Sequence, residues 1–258
     1  MTDTEQTKDR KFVEALSRGL RILSAFDKMS GPLGNQDIAS ITGLPKPTVS
    51  RMTYTLTQLG YLVYSERNEK YELGATNLTL GHAYTANLRI RQIAKPHMLE
   101  LAREFNVNIG LATNVQNEMI FVEYCRGDQL KSVLVDIGSK LPMGKSAIGR
   151  SYLAAIPEEK RNQILPQLAD IHDKDWPDVE NSIQDSLESY RTLGFTRSFG
   201  DWDRNINTVA VPLKLSENKI FCISCGGPSY VISTDTLLNV IGPRLIHVAR
   251  GYFGVDFR

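Results

Sequence analysis

The stretch that decides the reading is Leu44-Pro-Lys-Pro-Thr-Val-Ser-Arg-Met-Thr-Tyr-Thr-Leu-Thr-Gln-Leu-Gly60. Pro47 suits the first turn of a helix, where a missing N–H costs nothing. Val49, Met52, Leu56 and Leu59 recur at helical steps and predict a buried face. The opposite face carries Thr48, Ser50, Arg51, Tyr54, Thr55 and Gln58. It is rich in short hydroxyls and contains no acid, so it can approach phosphates and base edges without like-charge repulsion.

Working outward, Phe12 to Asp27 places Leu16, Leu20 and Leu23, with Phe12, Val13, Ile22 and Phe26, on one amphipathic stripe, leaving Arg18 and Arg21 on the wetter side. Gly31, Pro32 and Gly34 end that helix, Asn35 is read as the N-cap of a short second one, and Gly43 as its stop. Beyond Gly60, Leu62/Tyr64 and Tyr71/Leu73 alternate around the polar turn 65–70, a hairpin with an exposed tip. Helix, helix, turn, helix and hairpin in this order make a winged helix-turn-helix, whose third helix enters the major groove while the wing follows the backbone. Lys46, Arg51, Arg67 and Lys70 are the expected phosphate contacts, and Thr48, Ser50 and Tyr54 the expected base contacts.

Charge does not help this reading. The 258 residues carry a formal net charge of +1, and between Phe12 and Ala75 seven basic residues face six acidic ones. The expectation of DNA binding rests on arrangement alone. Hydrophobic content of 41% and charged content of 23% are those of a globular protein with room for two cores. No apolar run is long enough to span a bilayer and no secretion signal opens the chain, so a cytoplasmic location without membrane contact is expected. Cys125, Cys222 and Cys225 are too few for a disulfide framework. Cys222 and Cys225 sit three apart in an apolar strand, on opposite faces, and read as buried inert thiols.

Several stretches resemble the IclR-type regulators. In the first half these are Phe12-Val-Glu-Ala-Leu-Ser-Arg-Gly-Leu-Arg-Ile-Leu-Ser-Ala-Phe26, Asp37-Ile-Ala-Ser-Ile-Thr-Gly-Leu-Pro-Lys-Pro-Thr-Val-Ser-Arg-Met52 and Leu59-Gly-Tyr-Leu62. In the second half they are Leu141-Pro-Met-Gly-Lys-Ser-Ala-Ile-Gly-Arg-Ser-Tyr-Leu-Ala154, Asn207-Thr-Val-Ala-Val-Pro212 and Ile223-Ser-Cys-Gly-Gly-Pro228. The likeness runs from Phe12 to the C-terminus and departs at Lys46-Pro47, where a small residue more usually follows the basic one. It implies a homodimer or dimer of dimers on palindromic double-stranded promoter DNA. It also implies a GAF-like effector domain answering to a small organic acid, aromatic or short-chain.

The resulting organisation is α+β: a tail over 1–11, the winged helix-turn-helix over 12–74, a linker helix over 75–95 and an effector-binding domain over 96–258. Thr76 is read as a cap for the linker helix, and Pro96 as the restart of a new one. Strands are expected at Val107–Ala112, Met119–Tyr124, Lys131–Val135, Thr208–Leu215 and Ile220–Cys225. Helices are expected at Ser146–Ile156, Pro157–Leu165, Val179–Leu193 and Thr234–Phe253. Met143-Gly-Lys-Ser-Ala147 enters a helix whose N-terminus attracts an anion, with Ser146 and Lys145 as donors. The resemblance adds Thr208, Ser224 and Gly226, with Ser198 and Gly200 in a loop leading in. The candidate effector set is therefore Met143, Gly144, Ser146, Ala147, Ser198, Thr208, Ser224 and Gly226, with Trp202 either a wall or a loop anchor.

The alternatives are an enzyme and an architectural DNA-binding protein. A phosphate loop is excluded, because Ser139 stands where its first glycine belongs. The four histidines (His82, His97, His172, His247) share no i, i+4 spacing and no H-E-x-x-H, so neither metal nor cofactor is expected. An enzyme with an appended DNA-binding module has no positive support. A ligand-free architectural protein is disfavoured by the strand content of the second half.

Overall fold

A computed structural model describes residues 11–27, 29, 31–127, 135–216 and 218–253. The chain divides between Asn87 and Leu88 into two compact units.

The first unit is three helices and a hairpin: α1 (Glu14–Ala25), α2 (Asn35–Thr42), α3 (Lys46–Gln58), β1 (Leu62–Ser65) and β2 (Lys70–Leu73), followed by α4 (Thr76–Ala86). Ile22, Ala25, Leu33, Ile38, Leu44, Val49 and Leu62 form its core. Gly34, not Asn35, occupies the N-cap of α2, and its N–H donates to Asp37 Oδ2 at 2.9 Å. Gly43 closes α2 with φ of +66°, the left-handed conformation that glycine adopts without strain. The hairpin pairs Leu62 with Leu73 and Tyr64 with Tyr71, and Leu33 adds a bridge to Tyr71.

Two parts of the expected apolar stripes differ. In α3 the buried positions are Val49 and Thr53, while Leu59 is exposed. Thr53 is tolerated inside because its hydroxyl donates to Ser50 O at 3.1 Å, with Asn35 Oδ1 at 3.2 Å. In α1 only the second half packs, and Phe12, Val13, Leu16 and Leu20 stay exposed. Helix α4 has no buried residue and exposes Leu78, Leu80 and Tyr84. Thr76 is its first helical residue, not its cap.

The second unit is a six-stranded antiparallel sheet between helical layers. Its strands are β3 (Asn108–Val115), β4 (Glu118–Cys125), β5 (Lys140–Pro142), β6 (Thr196–Phe199), β7 (Ile206–Ser216) and β8 (Lys219–Pro228), in the order β5-β4-β3-β8-β7-β6. The helices are α5 (Arg89–Phe105), α6 (Ala147–Ala155), α7 (Glu158–His172), α8 (Trp176–Leu193), α9 (Thr234–Thr236) and α10 (Gly242–Phe253). A π-helical stretch, Leu237–Ile241, joins α9 to α10 within the single long helix expected there. The α+β reading and the late hairpin therefore stand. β5 and β6, of three and four residues, are too short to leave a period-two signal and were not foreseen. The strand expected at Lys131–Val135 lies, but for Val135, outside the described residues, as does the tail over residues 1–10.

Alternation assigns each sheet residue to a layer. Ile109, Leu111, Val209, Val211, Leu213, Phe221, Ile223 and Cys225 face α5 and α10. Ala112, Ala210, Ile220 and Cys222 face α6 and α8. Cys222 and Cys225 are thus on opposite faces, free and buried. Burial pushes the Cys222 thiol up to about 12 and the Cys225 thiol also upward; the Cys125 thiol rises to about 11 from burial and the nearby Glu123 carboxylate. Thiols held in this form are poor nucleophiles.

The helix expected to restart at Pro96 is instead one helix, α5, running through it. Proline removes one rung, but Ile90, Ala94, Met98, Leu101 and Ala102 bury a continuous stripe against the sheet. Pro166 is likewise inside α7, which extends to His172. Glu123 ties α5 to β4: buried to 2% exposure, it lies 2.8 Å from Arg91 Nε and 3.3 Å from Lys95 Nζ.

Candidate nucleic-acid interface and effector cavity

The recognition helix α3 presents Lys46, Ser50, Arg51, Tyr54, Thr55 and Gln58 to solvent. Thr48 is half-buried, in a groove between α1 and α3 with Glu14, Arg18 and Arg51. No acid occurs in the first turn of α3, so its N-terminal partial charge is unopposed there. Arg67 is exposed at the hairpin tip. Lys70 stands apart: it is half-buried beside the hairpin turn, paired with Ser65, with its Nζ 3.9 Å from Asp37. Arg21 was read as a wet-face residue, yet its guanidinium donates to Thr42 O and so clamps α1 to the helix-turn-helix corner. Thr42 fixes the corner further, donating to Ile38 O at 2.6 Å and accepting from Leu44 N–H at 3.3 Å.

In the second unit a cavity of about 550 Å³, mouth included, lies between the sheet and the start of α6. Its lining contains Ser146, Ala147, Ser198, Thr208, Ser224 and Gly226 of the expected set. Met143 and Gly144 are not brought there. Met143 is fully buried in the core under α6, and a Cβ at Gly144 would meet Val179 and His172, on α8 and α7. Trp202 is half-buried and forms part of the wall. Ser198 lies on β6 rather than in a loop, while Gly200 follows that strand with φ of +81°.

The floor is made by two transverse rows of the sheet. Ser198 pairs with Thr208, Thr208 with Gly226, and Gly226 with Asn108. The neighbouring row runs Thr196, Ala210, Ser224, Gly110 and Tyr124. Asn108, Gly110, Phe121, Tyr124, Leu141 and Ile148 were missed in the sequence reading. The available signal was in β3, where Asn108 and Gly110 share a face between the apolar Ile109 and Leu111. Small and polar residues facing one helical layer mark a place that layer does not fill. Gly110 is required because a Cβ would lie 2.1 Å from the Phe121 ring; at Gly226 it would lie 2.1 Å from Asn207 O.

The donors differ from those expected. Ser146 is the N-cap of α6, accepting from Gly149 N–H at 3.2 Å, and its own hydroxyl donates to Pro142 O at 2.7 Å. Ser198 donates to Lys145 O at 2.9 Å, and Thr196 to Ala147 O at 2.7 Å. Lys145 is paired with Asp175 at 2.8 Å. These contacts hold the helix start over the β6 end of the floor. The first N–H groups of a helix have no intrahelical acceptor; Gly149 and Arg150 find Ser146, leaving those of Ala147 and Ile148. The hydroxyls of Thr208 and Ser224 have no hydrogen-bond partner among the described residues. Among the described residues no Lys or Arg lines the cavity.

Arg150 braces three of its walls. Fully buried, it donates from Nε to Gly144 O at 2.8 Å, and from Nη1 to Arg197 O at 3.1 Å and to Asp201 Oδ2 at 2.6 Å. The first acceptor precedes the α6 start, the second adjoins Ser198, and the third adjoins Trp202. Burial holds the Arg150 pKa below the usual guanidinium range, opposed by Asp201.

Among the described residues no helix is long and apolar enough to cross a membrane, and no cluster of His, Cys, Asp and Glu could hold a metal. Comparison with known proteins agrees with both units. Residues 15–66 match the IclR helix-turn-helix domain, and residues 82–251 match the family described as bacterial transcriptional regulator IclR C-terminal. The chain is similar to the HTH-type transcriptional regulator TsaQ1/TsaQ2 of Comamonas testosteroni, 31% identical over 246 residues that cover 94% of this chain and 88% of that one. It is also similar to a crystal structure of an IclR family transcriptional regulator from Brucella abortus, with 38% identity, a TM-score of 0.90, and 97% and 94% of the two chains covered. An IclR homologue from Microbacterium hydrocarbonoxydans, complexed with 4-hydroxybenzoate, shares the fold at 23% identity and a TM-score of 0.68, covering 93% of this chain and 98% of that one. This chain belongs to the IclR family of bacterial transcriptional regulators.

Proposed function

We propose that this regulator is switched by a small organic acid, preferably aromatic, whose carboxylate is held at the start of α6. The observation that carries the reading is the convergence of unclaimed donors in one cavity: the Ala147 and Ile148 N–H groups and the Thr208 and Ser224 hydroxyls. A helix N-terminus in a partly buried site favours an anion by about 1–2 kcal/mol, and neutral donors can complete the shell without a cation. Phe121, Tyr124 and Trp202 in the walls suit a flat ring. The 4-hydroxybenzoate complex of the Microbacterium homologue supports the same class of ligand.

The DNA surface of this proposal is Lys46, Arg51 and Arg67, with Lys70 beside the turn of the wing, on phosphates, and Thr48, Ser50 and Tyr54 on base edges. A second copy of the chain covers the apolar faces of α1 and α4. In one chain those faces leave Phe12, Leu16, Leu20, Leu78, Leu80 and Tyr84 in water, and pairing them sets two recognition helices on one palindrome. Ligand binding alters the affinity of the pair for its operator.

The test is fluorescence anisotropy of the purified chain on its own upstream DNA, with and without a panel of benzoates and short-chain acids. Nanomolar, salt-dependent binding that shifts with an aromatic acid is expected. DNA binding indifferent to every acid, with no thermal shift, would remove the effector part of the proposal.

A further inference from the structure

The cavity holds one polar group that the carboxylate reading does not use. Asn108 sits on β3, at the end of the floor away from the α6 start, and is 7% exposed. Its Oδ1 is buried with no hydrogen-bond partner among the described residues. A buried acceptor that nothing meets keeps its full desolvation cost, so its place in a cavity wall points to a group that arrives from outside.

The register gives the distance that group must reach. Thr208, Gly226 and Asn108 face one another on β7, β8 and β3. Two inter-strand steps separate Thr208 from Asn108 by roughly 10 Å. Gly226, between them, offers no side chain and cannot gain one, because its Cβ would strike Asn207 O and Thr208. The floor is therefore a polar post at either end of a flat, bare centre. A single six-membered ring, with a carboxylate at one end and a polar substituent at the other, spans it.

We propose that the effector carries a hydrogen-bond donor, a hydroxyl or amino group, opposite its carboxylate, and that Asn108 reads that donor. This rests on the carboxylate reading above and adds a specificity-determining residue to it. Asn108 Oδ1 accepts the donor's hydrogen. A para-substituted acid with an acceptor or a methyl group there leaves the amide oxygen unpaired and is rejected.

The experiment is isothermal titration of the full chain with benzoate, 4-methylbenzoate, 4-methoxybenzoate, 4-hydroxybenzoate and 4-aminobenzoate, repeated on Asn108→Leu. The hydroxy and amino acids should bind the wild type about tenfold or more tighter than the other three. Asn108→Leu should erase that preference while holding benzoate within about threefold. Equal binding of all five to the wild type overturns the role of Asn108, which then keeps a water, and leaves the carboxylate site standing. A preference that survives Asn108→Leu also overturns it and assigns the donor to another wall residue. If no benzoate binds, the carboxylate reading fails and this inference falls with it. Should Asn108→Leu not fold, Asn108→Ala is titrated in its place and read by the same outcomes.

Discussion

Arg150 and Asp201 meet at 2.6 Å, the first fully buried and the second on a surface loop. The pair joins α6, whose start lies over the cavity floor, to the loop that supplies Trp202. Removing the carboxylate leaves a guanidinium inside the protein with only neutral partners, two carbonyls and the Ser186 hydroxyl. Asp201→Asn should therefore lower stability by about 2 kcal/mol, discounted from a fully buried pair because Asp201 is a third exposed. Arg150→Met should restore part of that loss in the double variant, since no lone charge remains. Urea melts of the two single variants and the double variant measure the coupling. Strict additivity would mean the contact carries no energy.

DNA affinity should divide by residue. Arg51→Ala and Arg67→Ala are each expected to weaken binding to every sequence and to flatten the salt dependence by about one unit of slope. Ser50→Ala and Tyr54→Phe should cost about 1–3 kcal/mol on the operator and little on random DNA. Lys70→Ala should do less than Arg67→Ala, because its ammonium already lies near Asp37. Gel-shift titrations at several salt concentrations separate these outcomes. An Arg51→Ala protein that binds as the parent does would displace α3 from the groove.

Acid should weaken the effector unit at one identifiable point. His172 packs against Gly144 at the end of α7, and burial with the nearby Lys145 lowers its pKa below the ordinary histidine range, partly opposed by Asp175. A depressed folded-state pKa means the unfolded chain binds the proton more readily. The stabilisation from His172 is present above pH of about 6.5 and is lost as pH falls through the lower folded value. Thermal melts from pH 8 to pH 5 should show this fall, and His172→Gln should flatten it. A parallel pH profile in the variant would take the histidine out of the account.

Gly226→Ala should be among the most damaging small substitutions. Its methyl would lie 2.1 Å from a backbone oxygen of the neighbouring strand, which no side-chain rotation relieves. A loss of about 3 kcal/mol or more is expected, read by chemical denaturation. Gly81→Ala, with open space around its Cβ on exposed α4, should instead be neutral or slightly stabilising.

The DNA-binding unit was legible because its signals are local. Pro47, Gly43 and the period of Val49 and Met52 act within a few residues of one another, and the helices and hairpin they predict are present. Leu16, Leu20 and Leu59 misled, since an apolar residue on a helical period looks the same whether its own chain or another covers it. Around the cavity, six of the eight expected residues line it: Ser146 and Ala147 follow from the helix start, while Ser198, Thr208, Ser224 and Gly226 came from the family resemblance. Asn108 and Phe121 escaped because they join the site only through strand pairing across the sheet. The hydroxyls of Ser146 and Ser198 looked like ligand donors in the sequence; only the folded chain shows them committed to Pro142 and Lys145. Pro96 looked like a boundary because local chemistry cannot weigh the stripe from Ile90 to Ala102 that carries α5 through it.

Cys222 and Cys225 sit in different layers of the sheet, one towards α6 and α8 and the other towards α5 and α10. That separation gives the molecule two internal clocks. A thiol-specific reagent reaches each sulfur only when its own layer parts from the sheet, so the two modification rates report the opening of the two sides independently. An acid held at the start of α6 would slow the Cys222 clock and leave the Cys225 clock to follow the stability of the unit as a whole.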